Sequence, residues 1–146
     1  MRRHKISLDK VQKAFNDAIK RRDCRCMIKD YETCYGQLEC SHFYTVGSSS
    51  SLRFYPPNAY AQCSKHHWKH HNVWTYGDNL ISYQGWLEEH HKQDLEEMEL
   101  LRHRFIKYTD DLKSEIIRLC NEDKLDELTE LIKKELGVQN DYSKAD

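Results

Sequence analysis

The spacing of apolar residues changes several times along the chain, and each change marks an element. From Ser7 to Arg22, Val11, Phe15, Ala18 and Ile19 recur at the three- and four-residue spacing of one helix face, with Ser7 placed to cap it. Residues 24–62 lose that period. Within them "GQLECSHFY" and "AYAQC" read as short strands, "VGSSSS" as the loop between, and "PPN" at Pro56–Asn58 as a turn. From Cys63 no Gly or Pro interrupts until Gly77, which predicts a short helix. After Gly85 the spacing is helical again, with Leu87, Leu95, Met98, Leu101 and Phe105 as an apolar stripe. A break near "YTDD" precedes further helix through "EIIRLCNEDKLDELTELIKKEL", which Gly137 ends, and "NDYSKAD" reads as a frayed tail. The expected fold class is therefore α+β and mostly α: a helix, a short hairpin with a loop, a His-rich helix, then more helices. No internal repeat is visible.

Charge divides the chain unevenly. Residues 1–29 carry ten Lys/Arg against three acids, a balance of +7, whereas residues 85–146 carry ten against seventeen, a balance of −7. The basic third suits phosphates, or is simply a solvated helix face. The acidic part is expected to pack on the central motif or to mediate self-association. The basic N-terminus lacks a following apolar region, so a secretory signal is not expected, and no run of about 18 apolar residues suggests a membrane span. Without a secretory signal, six cysteines point to metal binding or free thiols and not to disulfides.

The chemistry concentrates in "CSKHHWKHHN", Cys63 to Asn72, with one cysteine and four histidines in ten residues. Neighbouring helical residues diverge by about 100°, while residues three or four apart share a face. Cys63 and His66 therefore share one face, and His67 and His71 another. The stretch suits two metal sites better than one. Cys63 and His66 are half of a tetrahedral zinc centre, to be completed from Cys24, Cys26, Cys34 and Cys40. His67 and His71 suit a divalent ion with open positions, and two imidazoles favour zinc, nickel, cobalt or manganese over magnesium. Cys40 and Cys120 read as packed small hydrophobes, and Trp68, Trp74 and Trp86 as packing residues with base stacking by one of them as the alternative. His90, His91 and His103 read as solvated, and His70 as a surface residue or a contact to a substrate backbone beside Lys65 and Lys69.

Upstream, "LECSHFYTVGSSSSLRFYPPNAYAQCSKHH" presents His42, Asn58 and His67 in the order His–Asn–His. The passage resembles the HNH, or His-metal finger, nucleases, and more closely the phage recombination endonucleases of the NinG/Rap family. Their pattern runs Asp-x-Gly-His-[Phe/Tyr], Leu-Arg-Phe-x-x-x-Asn, Gln-Cys-x-x-Cys-Asn and Gly-Asn. Here the pieces stand as "ECSHF", "LRFYPPN", "QCSKHH" and "HN", over roughly residues 20–85. Helices beyond Gly85 are similar to the family only in being charged and helical.

The resemblance implies a ββα-metal motif with a structural zinc, flanked by an N-terminal helix and long C-terminal helices. Residues 1–84 would be the nuclease core, 85–137 a helical extension that packs on it or dimerises, and 138–146 a tail. It implies a metal-dependent DNA endonuclease of phage or prophage recombination, acting in the bacterial cytoplasm on branched DNA, such as Holliday junctions or D-loops. His42 would be the general base, Asn58 would orient His42 or pin the loop, and His67 and His71 would hold a catalytic ion (magnesium, manganese, nickel or zinc). Glu39 and Asn72 are further candidates around that ion, Glu39 alternatively orienting His42. Arg53, Lys65 and Lys69 would contact DNA phosphates. The family's first Cys-x-x-Cys is missing. In many such nucleases an Arg-Asp stretch leads to a basic residue and then the first ligand, so the resemblance implies Cys26, with Cys34, Cys63 and His66, and Cys24 in reserve. Symmetric junction cutting would call for a homodimer through the C-terminal helices. The alternative is a zinc-containing nucleic-acid-binding module without catalysis.

Overall fold

The apolar face of the first helix sets the centre of the molecule. In the computed structural model, which describes residues 5–76 and 81–138, helix α1 (Leu8–Asp23) buries Val11, Phe15, Ala18 and Ile19. Ser7 caps it by accepting a hydrogen bond from the Lys10 N–H, and Cys24 ends it in the left-handed region at φ 58°. The chain then loops over residues 25–37 into a two-stranded antiparallel sheet, β1 (Leu38–His42) and β2 (Ala59–Cys63). The register pairs Leu38 with Cys63 and His42 with Ala59. Every residue of β2 is buried, because α1 and helix α2 (Ser64–Asn72) both pack against it.

Sixteen residues separate the strands, and two short 3-10 turns, Ser50–Leu52 and Pro56–Asn58, give that connection shape. Pro56 and Pro57 open the second turn, where fixed φ suits the first helical positions. Gly36, at φ +91°, lies against the start of α2; a Cβ there would stand 2.7 Å from Ser64 Oγ, so no side chain fits.

Past residue 82 the chain forms α3 (Tyr83–His90), α4 (Lys92–Leu101), α5 (Asp110–Asn121) and α6 (Leu125–Glu135). Thr109 caps α5 at the expected break, accepting from the Leu112 N–H at 3.1 Å. These helices share a single apolar core with α1 and the sheet, running from Val11 to Leu136. The charge asymmetry is partly neutralised within the chain: α5 packs on α1, and Arg21 reaches Asp123 at 2.8 Å and the Cys120 carbonyl at 2.9 Å.

Three expectations need correction. The helical stripe after Gly85 is broken at His91, and α4 ends at Leu101, so Phe105 lies beyond it and is 83% exposed. Trp86 is buried, but Trp68 and Trp74 are 60% and 73% exposed and pack no core. His91 is half-buried, stacking on Tyr60 with ring centroids 5.0 Å apart. The tail "NDYSKAD" lies outside the described residues, and among those described no helix is long and apolar enough to cross a membrane.

Candidate metal centres

Cys26, Cys34, Cys63 and His66 converge, with ligand atoms all within 4.8 Å of one another, and form a cluster that can hold a metal such as zinc. The sulfurs of Cys63, Cys26 and Cys34 lie 3.1, 3.4 and 3.9 Å from His66 Nδ1. Sulfur and nitrogen ligands of a tetrahedral zinc stand roughly 3.6 Å apart, and the three distances scatter around that value. The pieces arrive from distant parts of the chain. Met27 donates its N–H to the Ala61 carbonyl at 2.9 Å, which docks the loop carrying Cys26 on β2. The Ser64 and Lys65 N–H groups donate to the carbonyls of Gln37 and Tyr35, which ties the Cys34 end to the start of α2. All six cysteines are free. Cys24 stays outside the cluster, exposed, with its thiol on the Arg21 carbonyl.

Without an ion these thiols are poor company for one another. Burial pushes Cys26 up to about 12, and raises Cys34 too. Burial also works to raise Cys63, but hydrogen bonds from the backbone and from the neighbouring sulfurs outweigh it and leave this thiol lowered. A bound zinc would supply the positive charge that three crowded thiolates require. Glu32 completes the surroundings by accepting from His66 Nε2 at 3.3 Å, which leaves Nδ1 as the ligand nitrogen. The same carboxylate takes Lys69 at 2.7 Å and Lys65 at 2.9 Å; hydrogen bonds from these two ammonium groups lower it to about 2. Nothing in the local sequence around "DYETC" marks Glu32 for this position, because all its partners are more than thirty residues away.

On the other side of α2, His67 and His71 face each other with Nε2 atoms 3.1 Å apart. Two nitrogens bound at about 2.1 Å to one ion at right angles stand roughly 3 Å apart, so the pair is spaced as two ligands of a single cation. Glu39, on β1, accepts from His67 Nδ1 at 2.9 Å and from the Ser64 hydroxyl at 3.3 Å. A carboxylate on Nδ1 turns the Nε2 lone pair toward the His71 side, the usual outer support of a metal-bound histidine. Glu39 thus sits behind His67, not beside His42. Asn72 folds back on its own helix, donating to the Trp68 carbonyl at 2.8 Å.

His42 ends β1 half-buried, its ring 5.7 Å from that of Phe15. Its Nε2 lies 2.9 Å from the Arg53 carbonyl. A carbonyl only accepts, so Nε2 carries the proton and Nδ1 is the basic nitrogen. Burial lowers the pKa of His42, and among the smaller contributions is the charge of His67. Asn58, fully buried, bonds across the loop: its Oδ1 accepts from the Tyr44 N–H at 2.8 Å, and its Nδ2 donates to the carbonyls of Tyr44 and Leu52 at 3.0 and 3.1 Å. It closes the segment that carries the Arg53 carbonyl, and so acts on His42 through the backbone.

The candidate phosphate contacts are spread out. Arg53 donates to Gln12 on α1 at 2.8 Å, and Lys65 and Lys69 lie with Glu32 on the His66 face of α2, not with His67. His70 lies between the parts, its ring 4.9 Å from those of both His71 and Tyr83, and its pKa is lowered to about 4, mainly by burial. Cys40 packs half-buried on the core, its thiol pushed up to about 12 by burial.

Comparison with known proteins gives one family. The family model described as Bacteriophage Lambda NinG protein matches residues 1–125, well past the region around 20–85 where the motifs lie. No curated protein and no solved structure matches.

Proposed function

This chain belongs to the bacteriophage lambda NinG protein family, and from that premise we propose that it is a metal-dependent DNA endonuclease with an HNH-type ββα core, serving phage recombination on branched DNA. The observation that carries the reading is the His67–His71 pair at 3.1 Å with Glu39 behind it. A zinc cluster alone needs neither imidazole, and a binding module without catalysis leaves their facing geometry unexplained.

A divalent ion held by His67 and His71 would supply positive charge to the scissile phosphate and to the leaving 3′ oxygen. The chain's own residues do the rest. His42, neutral because burial lowers its pKa, takes a proton at Nδ1 from the water that attacks phosphorus. The Arg53 carbonyl holds the opposite nitrogen and stabilises the imidazolium that results. Asn58 keeps that carbonyl in place by closing the loop. Cys26, Cys34, Cys63 and His66 would hold a structural zinc that fixes how α2 sits on the sheet.

The test combines metal content with nicking. Zinc-loaded protein is assayed with and without added manganese or magnesium on linear and four-way DNA, beside His42→Ala. Cleavage that needs the added ion and falls about 100-fold or more in His42→Ala, at unchanged zinc content, supports the reading. Undiminished cleavage by the variant refutes the assignment of the base, and no cleavage under any condition favours the binding module.

A further inference from the structure

A concavity reaches His70, the residue before His71. This cleft, of about 1000 Å³, has Phe43, Tyr44, Trp74 and His70 among its walls. Two of its lining residues neighbour the candidate catalytic ones: Phe43 directly follows His42, and the His70 ring lies 4.9 Å from that of His71.

Trp74 is unusual in its backbone as well as its exposure. The N–H groups of Val73 and Trp74 both donate to the Lys69 carbonyl at 2.8 Å as α2 ends, and Trp74 takes φ +74°. Gly or Asn serves that left-handed position at lower cost, and a large aromatic residue there is strained. Nor does packing account for the residue, since it is 73% exposed. Strain of this sort gathers at ligand clamps. The indole is held out along a cleft that already contains Phe43 and Tyr44, whose rings meet edge-on at 4.7 Å.

Charge narrows the ligand. Glu96 and Glu99 line the cleft with a single guanidinium, Arg102. That guanidinium lies over the Tyr44 ring at 5.2 Å and 3.9 Å from Glu99. Such a cleft repels a phosphate. A neutral nucleobase is different: its π face stacks on aromatic side chains whatever its identity, and carboxylates accept from exocyclic amino groups. A base leaves the stack most readily where it is unpaired.

We propose that this cleft receives an unpaired nucleobase of the DNA strand being cut, stacked on Trp74 and Phe43; the assignment rests on the nuclease reading above. Zinc-loaded full-length protein, without added divalent ion, is titrated with two duplexes that carry 2-aminopurine either paired or as a single unpaired nucleotide. The unpaired duplex binds about tenfold more tightly, and its fluorescence is quenched. Trp74→Ala abolishes most of that advantage at unchanged zinc content, and Trp74→Phe restores it. Equal affinity of the wild type for both duplexes overturns the proposal, as does an advantage that survives in both Trp74→Ala and Phe43→Ala. Cleavage is read separately: a Trp74-dependent advantage without metal-dependent cutting sinks the nuclease reading and keeps the base site, whereas His42-dependent cutting with no advantage sinks the base site alone.

Discussion

Replacing Glu39 separates two roles that a carboxylate near a metal can play. Its Oε1 lies 2.9 Å from His67 Nδ1, the nitrogen turned away from His71. As an outer partner it fixes the tautomer and orientation of His67, and removing such a partner costs about 10- to 100-fold in metal affinity. The side chain is 46% exposed, so water competes for the bond and the effect falls at the low end, about tenfold or 1.4 kcal/mol. Glu39→Ala should therefore weaken manganese binding about tenfold. Glu39→Gln still offers an oxygen to Nδ1–H and loses only the charge, worth roughly 0.5–1 kcal/mol, or twofold to fivefold. The assay is manganese titration followed by electron paramagnetic resonance, on protein whose zinc content matches wild type. A loss in Glu39→Ala far beyond 100-fold would put Glu39 in the coordination sphere. No change in either variant would refute the claim that Glu39 organises His67.

The remaining predictions concern the scaffold and the base. Cys63→Ser should lose zinc and unfold the central motif, seen in near-ultraviolet circular dichroism, whereas Cys24→Ser should keep one zinc per chain because its thiol lies outside the cluster. Asn58→Ala leaves the Tyr44 N–H and the Tyr44 and Leu52 carbonyls without that partner. The expected loss is about 3 kcal/mol, which lowers Tm by roughly 10 °C in a scanning calorimeter. Burial holds the pKa of His42 below the ordinary 6.5, so its basic form persists as pH falls through 6.5 and is lost only lower, at the folded pKa. The acid limb of kcat/KM assigned to His42 should lie below 6.5, and a limb above that value would contradict the buried geometry.

The division of α2 into a Cys63–His66 face and a His67–His71 face was legible because helical angles follow from spacing alone, so adjacent histidines at 66 and 67 must diverge. Spacing left four upstream cysteines open, and only the family pattern singled out Cys26 and Cys34 for the cluster. The strands and the capped first helix were legible for the same local reason. What escaped depends on contacts across the fold. Glu32 takes its role from a histidine 34 residues away, and Glu39, already a candidate from the resemblance, takes its place behind His67 from a contact 28 residues away; no period relates them. That Lys65 and Lys69 share Glu32 on the His66 face was equally beyond local reading. Trp68 and Trp74 read as packing residues on residue type, but Trp68 lies on a helix with only His66 buried and Trp74, just past its end, is exposed.

The adjacency of His66 and His67 has a mechanical consequence. A helix of nine residues with a single buried side chain has little hydrophobic grip on the sheet, so its rotation about its own axis must be set by other bonds. The cluster that takes His66 and Glu32 that takes Lys65 and Lys69 hold one side, Glu39 that takes His67 and Ser64 holds the other, and backbone bonds from Ser64 and Lys65 hold its start. Both carboxylate supports use the imidazole nitrogen opposite the candidate ligand atom, Nε2 on His66 and Nδ1 on His67. Turning α2 by even 20° would move the His67 ring, several ångströms from the axis, by more than the tolerance of about 0.5 Å for a working site. The sulfur-rich cluster thus helps to set where the His67–His71 pair points, although it shares no residue with it. Metal loss at the first centre should therefore disable the second while leaving all its side chains intact.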